Sequence, residues 1–207
     1  MQRLLDGIQQ FQQNVFGEQQ ELFERLAQGQ RPSALFITCS DSRIVPNLLT
    51  QTTPGELFVL RTVGNVVPPH DAVCVGEAAT IEYAVRVLNV QDVIVCGHSL
   101  CGAMAALLDP QQVRDLPAVQ SWLKHVEPVR HALQNHNGRN QDRNALWAAA
   151  IEQNVLVQLE NLKTHPAVAA ALERDAVRLH GWVYQIETGQ VFAYDPERSA
   201  FGELQLG

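Results

Sequence analysis

Ala34-Leu35-Phe36-Ile37-Thr38-Cys39-Ser40-Asp41-Ser42-Arg43 opens with a short apolar run and then turns polar within five residues. The run Ala34 to Thr38 predicts a fully buried strand. A thiol, a carboxylate and a guanidinium (Cys39, Asp41 and Arg43) therefore leave its C-terminal end at alternate positions. In an open α/β sheet that end is where ligands bind. A second apolar run, Val93-Ile94-Val95-Cys96, leads into His98-Ser99-Leu100-Cys101. Two strand ends thus deliver Cys, His and Cys.

The flanking sequence supplies the rest of a sheet. Thr53-Pro54-Gly55-Glu56 is a turn signal before another short strand, Leu57-Phe58-Val59-Leu60. Helical spacing is read at Pro46 to Leu49, at Glu77 to Leu88 and at Gly102 to Leu108, which Asp109-Pro110 ends. Strand, helix, strand in this order implies right-handed crossovers and a parallel sheet. From Pro117 to Leu172 the chain reads as helical, with a break at Asn135-His136-Asn137-Gly138, a longer helix over Ala145 to Leu162, and Pro166 opening another. Two alternating runs, Gly181 to Ile186 and Val191 to Tyr194, flank Glu187-Thr188-Gly189-Gln190 and predict a β-hairpin that extends the sheet. The first ~28 residues space their apolar side chains as an amphipathic helix or helix pair broken near Gly17. The expected fold is α/β: a central, mostly parallel sheet flanked by helices, an N-terminal helical arm and a C-terminal hairpin. One domain spans 1–207, with the arm at 1–30, the core bearing Cys39, His98 and Cys101 at 31–110, and a helical region plus hairpin at 111–207.

Composition narrows the function. Of 207 residues, 46% are hydrophobic and 18% charged, enough apolar material for a core. A net charge of −7 argues against a nucleic-acid partner, since phosphate neutralisation needs a basic face. No apolar run approaches the ~18 residues of a membrane span, and the start lacks a secretory apolar segment, so no membrane is expected and the location is read as cytoplasmic. Four cysteines are too few to staple a chain of this length. They read as metal ligands or small buried residues; Cys96, inside a strand, is assigned to the core and Cys74 to a structural role.

Zinc favours thiolate and imidazole in tetrahedral sets of four, with one position left for water or substrate where it is catalytic. His98-x-x-Cys101 alone is weak evidence, and a lone Cys after a buried strand is usually core. Together, each at a strand end and with no suitable fourth Cys or His, they point to an open metal site. Two thiolates neutralise the ion, so bound water is acidified less than on a three-histidine site, where its pKa falls to about 7. A second group to orient that water would help. Asp41 is the candidate, with Arg43 able to pair with it through a planar fork. A redox pair of Cys39 and Cys101 remains open at this point.

Cys39-Ser40-Asp41-Ser42-Arg43 with Cys96-Gly97-His98-Ser99-Leu100-Cys101-Gly102 resembles the zinc signature of β-class carbonic anhydrases. Pro54 to Arg61, Gly64-Asn65-Val66-Val67-Pro68-Pro69, Ile81-Glu82-Tyr83-Ala84 and His180-Gly181-Trp182-Val183-Tyr184 resemble the same family in order and spacing. The similarity is nearest to the cyanobacterial carboxysomal type, which opens with a similar Met-Gln-Arg-Leu and commonly continues beyond the position matching Gly207. The resemblance implies one Zn²⁺ per chain on Cys39, His98 and Cys101. It implies reversible hydration of CO₂ to bicarbonate and a proton by hydroxide formed on the metal, with Asp41 and Arg43 as the catalytic pair. It also implies that Asp41 could swing from Arg43 onto the metal, since the family has two site states. Gln30, nine positions before Cys39, matches a bicarbonate donor of plant-type members. Phe58, Val63 and Tyr83 match the CO₂ pocket of that type, although on their own they read as ordinary core. Gly102 is placed to offer a backbone N–H to an anion. Some bacterial members hold inhibitory bicarbonate with a Trp three residues before the first Cys. This chain has Phe36 there, so a plant-like site without that inhibition is expected, even though Arg61 and Tyr184 match other members of the inhibitory site. Thr62 stands where relatives usually have Asn. Expected partners are a homodimer or a multiple of dimers with the site at the subunit boundary, and carboxysome scaffold proteins if the chain resides in the carboxysome lumen. A relative acting on CS₂, or a scaffold component with structural zinc, would share the ligands; Asp41 and Arg43 favour catalysis over the second.

Overall fold

The computed structural model describes residues 1–72, 75–136 and 142–204. Cys74 and the Asn137-Gly138 part of the expected helix break lie outside them. The chain divides into two compact units, Met1–Arg31 and Pro32–Gly207.

In the first unit α1 (Gln2–Gln10) runs through a π-helical turn (Phe11–Val15) into α2 (Phe16–Glu18), and α3 (Gln20–Leu26) follows. The break falls at Gln19, at φ −116° and ψ 20°, two residues beyond the expected Gly17. Aromatic packing accounts for the shift. A π turn brings residues five apart onto one side, and the Phe11 and Phe16 rings both meet Phe23, at 5.6 and 5.3 Å. Leu4, Leu5 and Ile8 are exposed.

The second unit runs β1 (Ala34–Cys39), α4 (Pro46–Thr50), β2 (Leu57–Thr62), α5 (Val75–Arg86), β3 (Asp92–His98) and α6 (Gly102–Leu108). It continues through α7 (Pro117–Leu123), α8 (Glu127–His136), α9 (Arg143–Lys163) and α10 (Pro166–Leu172) to β4 (Arg178–Tyr184), β5 (Val191–Asp195) and β6 (Ala200–Glu203). The six-stranded sheet has the order β2-β1-β3-β4-β5-β6. β2, β1, β3 and β4 are parallel, and β4-β5-β6 are antiparallel. The hairpin is present, but its first strand is also the fourth parallel strand, paired with β3 from Asp92↔Arg178 to His98↔Tyr184. β6 is an addition that short, mixed residues did not signal.

Every residue of β1 is buried, as a strand covered on both faces requires. Leu35 and Ile37 face the larger core; Ala34 and Phe36 face a smaller one with Ile44, Ile94 and Cys96. Cys96 is fully buried, and burial pushes its thiol up to about 12. α9 lies close on the sheet because two strand glycines admit it: a Cβ on Gly97 or on Gly181 would come 2.9 Å from a methyl of Val155.

That close approach carries a row of polar side chains into the interior. Asn154, Gln158 and Asn161 share one face of α9 by their spacing, and each bonds main chain of the loop after β2. Asn154 Nδ2 donates to the Gly64 carbonyl, Gln158 Oε1 accepts from Val67 N–H, and Asn161 Nδ2 donates to the Val67 carbonyl. His165 extends the row, 3.0 Å from the Pro68 carbonyl through Nε2. His165 is buried, and burial foremost lowers its pKa, with His70 nearby adding to the effect. The unfolded chain takes up that proton at about 6.5 while the folded chain resists it, so stability rises with pH there. The melting temperature is expected to fall as pH drops below about 6.5. In His165→Gln, which keeps a donor toward Pro68, that part of the acid dependence should vanish; an unchanged slope would assign it elsewhere.

Candidate metal centre

β1 and β3 are neighbours in register from Ala34↔Asp92 to Thr38↔Cys96, so Cys39 and His98 end the two strands side by side. Cys101 arrives by a tight turn in which Leu100 takes a left-handed φ of +57°. Such a conformation costs roughly 1–2 kcal/mol for a non-glycine residue, and two bonds hold it. Arg43 Nη2 donates to the Leu100 carbonyl at 3.1 Å, and Trp147 Nε1 donates to the Cys101 carbonyl at 3.0 Å. The ligand atoms of Cys39, His98 and Cys101 all lie within 4.8 Å of one another, and all three residues are buried.

The hydrogen-bond pattern tests whether this cluster fits an ion. His98 Nδ1 sits 2.8 Å from the Ser99 carbonyl. A carbonyl only accepts, so Nδ1 carries the proton and Nε2 presents its lone pair inward. That Nε2 is buried and has no hydrogen-bond partner. A buried acceptor left unpaired costs about 1–3 kcal/mol unless something else satisfies it; a metal ion does. A histidine whose second nitrogen is fixed by a carbonyl is the usual orientation of a ligand. The cysteines match: without metal, Cys39 is held at about 4, foremost by the Cys101 thiol donating to its sulfur, and the same bond pushes Cys101 up. Cys39 Sγ also accepts the Gly64 N–H at 3.3 Å.

Asp41 and Arg43 form a forked pair. Arg43 Nε and Nη2 donate to the two carboxylate oxygens at 2.9 and 2.7 Å, and the Arg43 N–H adds a third bond. The guanidinium holds the Asp41 carboxyl well below the usual carboxylate range. Asp41 Oδ2 lies 3.8 Å from His98 Nε2, at the edge of the ligand cluster. Arg61 is spent on the same loop, donating to the carbonyls of Cys39, Asp41 and Ile44. Phe36 is buried edge-on to Trp182. Thr62 closes the loop after β2 with a bond from its hydroxyl to the Val66 carbonyl.

The pocket candidates divide. Val63 is beside Gly64, and Gly102 opens α6 directly after Cys101. Phe58 and Tyr83 pack together with ring centroids 6.0 Å apart. Phe58 pairs with Leu35 and Thr62 with Cys39, so Phe58 stands about 13 Å along the strand from the ligand end. Val63 and Tyr83 are 43% and 45% exposed, which corrects their bland reading as ordinary core. Gln30 belongs to the first unit. Sequence reasoning missed the donors around the ligands: Gly64 N–H, Trp147, Arg61 and the polar row of α9. The row had a signal in polar residues recurring at helical spacing within an apolar segment; the backbone donor had none.

The sequence profile of the family described as carbonic anhydrase matches residues 34–191. A carbonic anhydrase of Synechocystis is 47% identical over 196 residues, covering 94% of this chain and 71% of its own length. The solved β-carbonic anhydrase CcaA superposes with a TM-score of 0.95 at 45% identity, over 99% of both chains. This chain belongs to the β-class carbonic anhydrases. A β-carbonic anhydrase from Sordaria macrospora, described as tetrameric, is 28% identical with a TM-score of 0.84, over 93% of this chain and 95% of its own. The α/β fold, the helical N-terminus and the antiparallel C-terminal strands are those expected of the class. No helix among the described residues is long and apolar enough to cross a membrane.

Proposed function

We propose that this carbonic anhydrase holds one Zn²⁺ per chain on Cys39, His98 and Cys101 and reversibly hydrates CO₂ to bicarbonate and a proton. The observation that carries the reading is the buried, unpartnered His98 Nε2 facing two cysteine sulfurs, with a forked Asp41–Arg43 pair at the edge. Two sulfurs and one imidazole are a donor set zinc prefers, and three protein ligands leave a fourth position. Zinc, when bound, supplies Lewis acidity that makes a water nucleophilic at neutral pH.

The chain's own groups do the rest. Arg43 keeps Asp41 ionised, so Oδ2 accepts a hydrogen bond from the attacking water and points its lone pair at CO₂. The Gly102 N–H, at a helix start without an intrahelical acceptor, suits the developing bicarbonate. Phe58, Val63 and Tyr83 offer apolar surface for CO₂ and Gln30 a polar contact. The distance of Phe58 and Tyr83 from their own ligand cluster supports an assembly of dimers in which they line a neighbour's site. Phe36 in place of an indole, and Arg61 occupied by three carbonyls, favour a plant-like site without inhibitory bicarbonate. Residence in a cytoplasmic carboxysome, with scaffold partners, is the corresponding location.

Stopped-flow CO₂ hydration with parallel metal analysis tests the whole reading. Near one zinc per chain with rapid hydration is the expected result. Zinc-replete protein that does not hydrate CO₂ would defeat it.

A further inference from the structure

The helical region between α6 and β4 has so far only packed and braced. One of its residues reaches the metal ligands through a single peptide group. The Val63 carbonyl accepts the Trp122 indole N–H at 2.8 Å, and the N–H of that same peptide, on Gly64, donates to Cys39 Sγ at 3.3 Å. We propose that Trp122 is a positioning residue for the metal-bound Cys39 thiolate, acting through the Val63–Gly64 peptide.

Three features make the peptide a fixed connector. Gly64 has φ +73°, and a Cβ there would lie 2.8 Å from the Ala103 Cβ, so the backbone passes where no other residue fits. The next carbonyl, on Gly64 itself, is taken by Asn154 Nδ2 at 2.9 Å. α7 and α9 thus each hold one of the two peptides flanking Gly64, and the Gly64 N–H, part of the first, stays aimed at sulfur. A peptide bonded at both ends is also polarised cooperatively, each bond strengthening the other by roughly 10–30%. The indole therefore aims the Gly64 N–H and makes it a stronger donor. A thiolate that accepts a stronger bond gives less charge to its metal, and the metal polarises water more.

This inference rests on the zinc reading above. Zinc content and hydration by the wild type, measured alongside, separate a failure of that reading from a failure of this one. Trp122→Phe keeps an aromatic ring and removes the donor. In cobalt-substituted protein the thiolate-to-metal charge-transfer band should move to longer wavelength. Zinc affinity, by competition with a chromophoric chelator, should fall about tenfold, at the low end for partners of metal ligands. The ascending limb of kcat/KM, set by deprotonation of the attacking water, should move to higher pH. A band and a pH midpoint unchanged from wild type, with only melting temperature or kcat reduced, would leave Trp122 a packing residue and overturn the proposal. If Trp122→Phe does not fold, wild-type protein loaded with spin-half cadmium decides by NMR. The Gly64 amide proton should couple to the metal across the Cys39 sulfur, and the Trp122 indole nitrogen to the Val63 carbonyl carbon across their hydrogen bond; absence of either coupling would overturn the proposal.

Discussion

His98→Ala should leave the protein without stoichiometric zinc and without CO₂ hydration above buffer. Loss of a group that merely orients a ligand costs about 10–100-fold in metal affinity, and loss of the ligand should exceed that range. The two sulfurs then hold an ion alone, and the unliganded thiolates become buried charges in search of protons. Metal analysis and stopped-flow hydration read both effects. Added imidazole should partly restore each, because a cavity of the right shape remains between Cys39 and Cys101. Full zinc occupancy in His98→Ala would remove that residue from the ligand set.

Asp41→Asn should lower kcat/KM by about 10²–10⁴-fold, the range for a positioned proton acceptor, while zinc stays near one per chain. The substitution preserves shape but not charge. An amide offers Arg43 one acceptor where the carboxylate offers two, and presents N–H to the water it should orient. The pH dependence of the wild type bears on the same residue. Arg43 holds the Asp41 carboxyl below the usual range. The stabilisation from this pair is therefore present above about 3.9, the ordinary Asp value, and is lost as pH falls below it toward the depressed one. Asp41 is ionised across the neutral range, so any neutral inflection in the rate belongs to another group. Equal kcat/KM in Asp41→Asn and wild type would dismiss the catalytic pair.

The parts legible in the sequence were those coded by periodicity and by side-chain chemistry. Ala34 to Thr38 and Val93 to Cys96 read as buried strands because both faces of a parallel sheet are covered. Their polar ends name Cys39, His98 and Cys101 as candidate ligands, and the pairing of β1 with β3 brings the two strand ends together. β6 was illegible because Ala200-Phe201-Gly202-Glu203 is too short and mixed to show a period of two. The role of β4 was half seen: alternation announced a hairpin, but nothing local says that the same strand pairs in parallel with β3. Around the metal centre, ligands are side chains and could be named. The Gly64 donor is main chain, placed by a left-handed turn and an indole 58 residues from it, and sequence order does not reveal such meetings. The Phe58 and Tyr83 reading came from resemblance alone; geometry adds that they stand together and away from their own chain's ligands.

The polar row on α9 has a consequence for how this enzyme can vary. Asn154, Gln158 and Asn161 grip main-chain atoms of the loop after β2 and ignore its side chains. Such a helix works as a template for the loop's path and length. Substitutions at Val66 or Val67 that keep volume leave each grip intact. Insertion of one residue would put Gly64 and Val67 out of step with a helix that repeats every 3.6 residues. Outside Gly64, the loop is thus freer in its side chains than in its length.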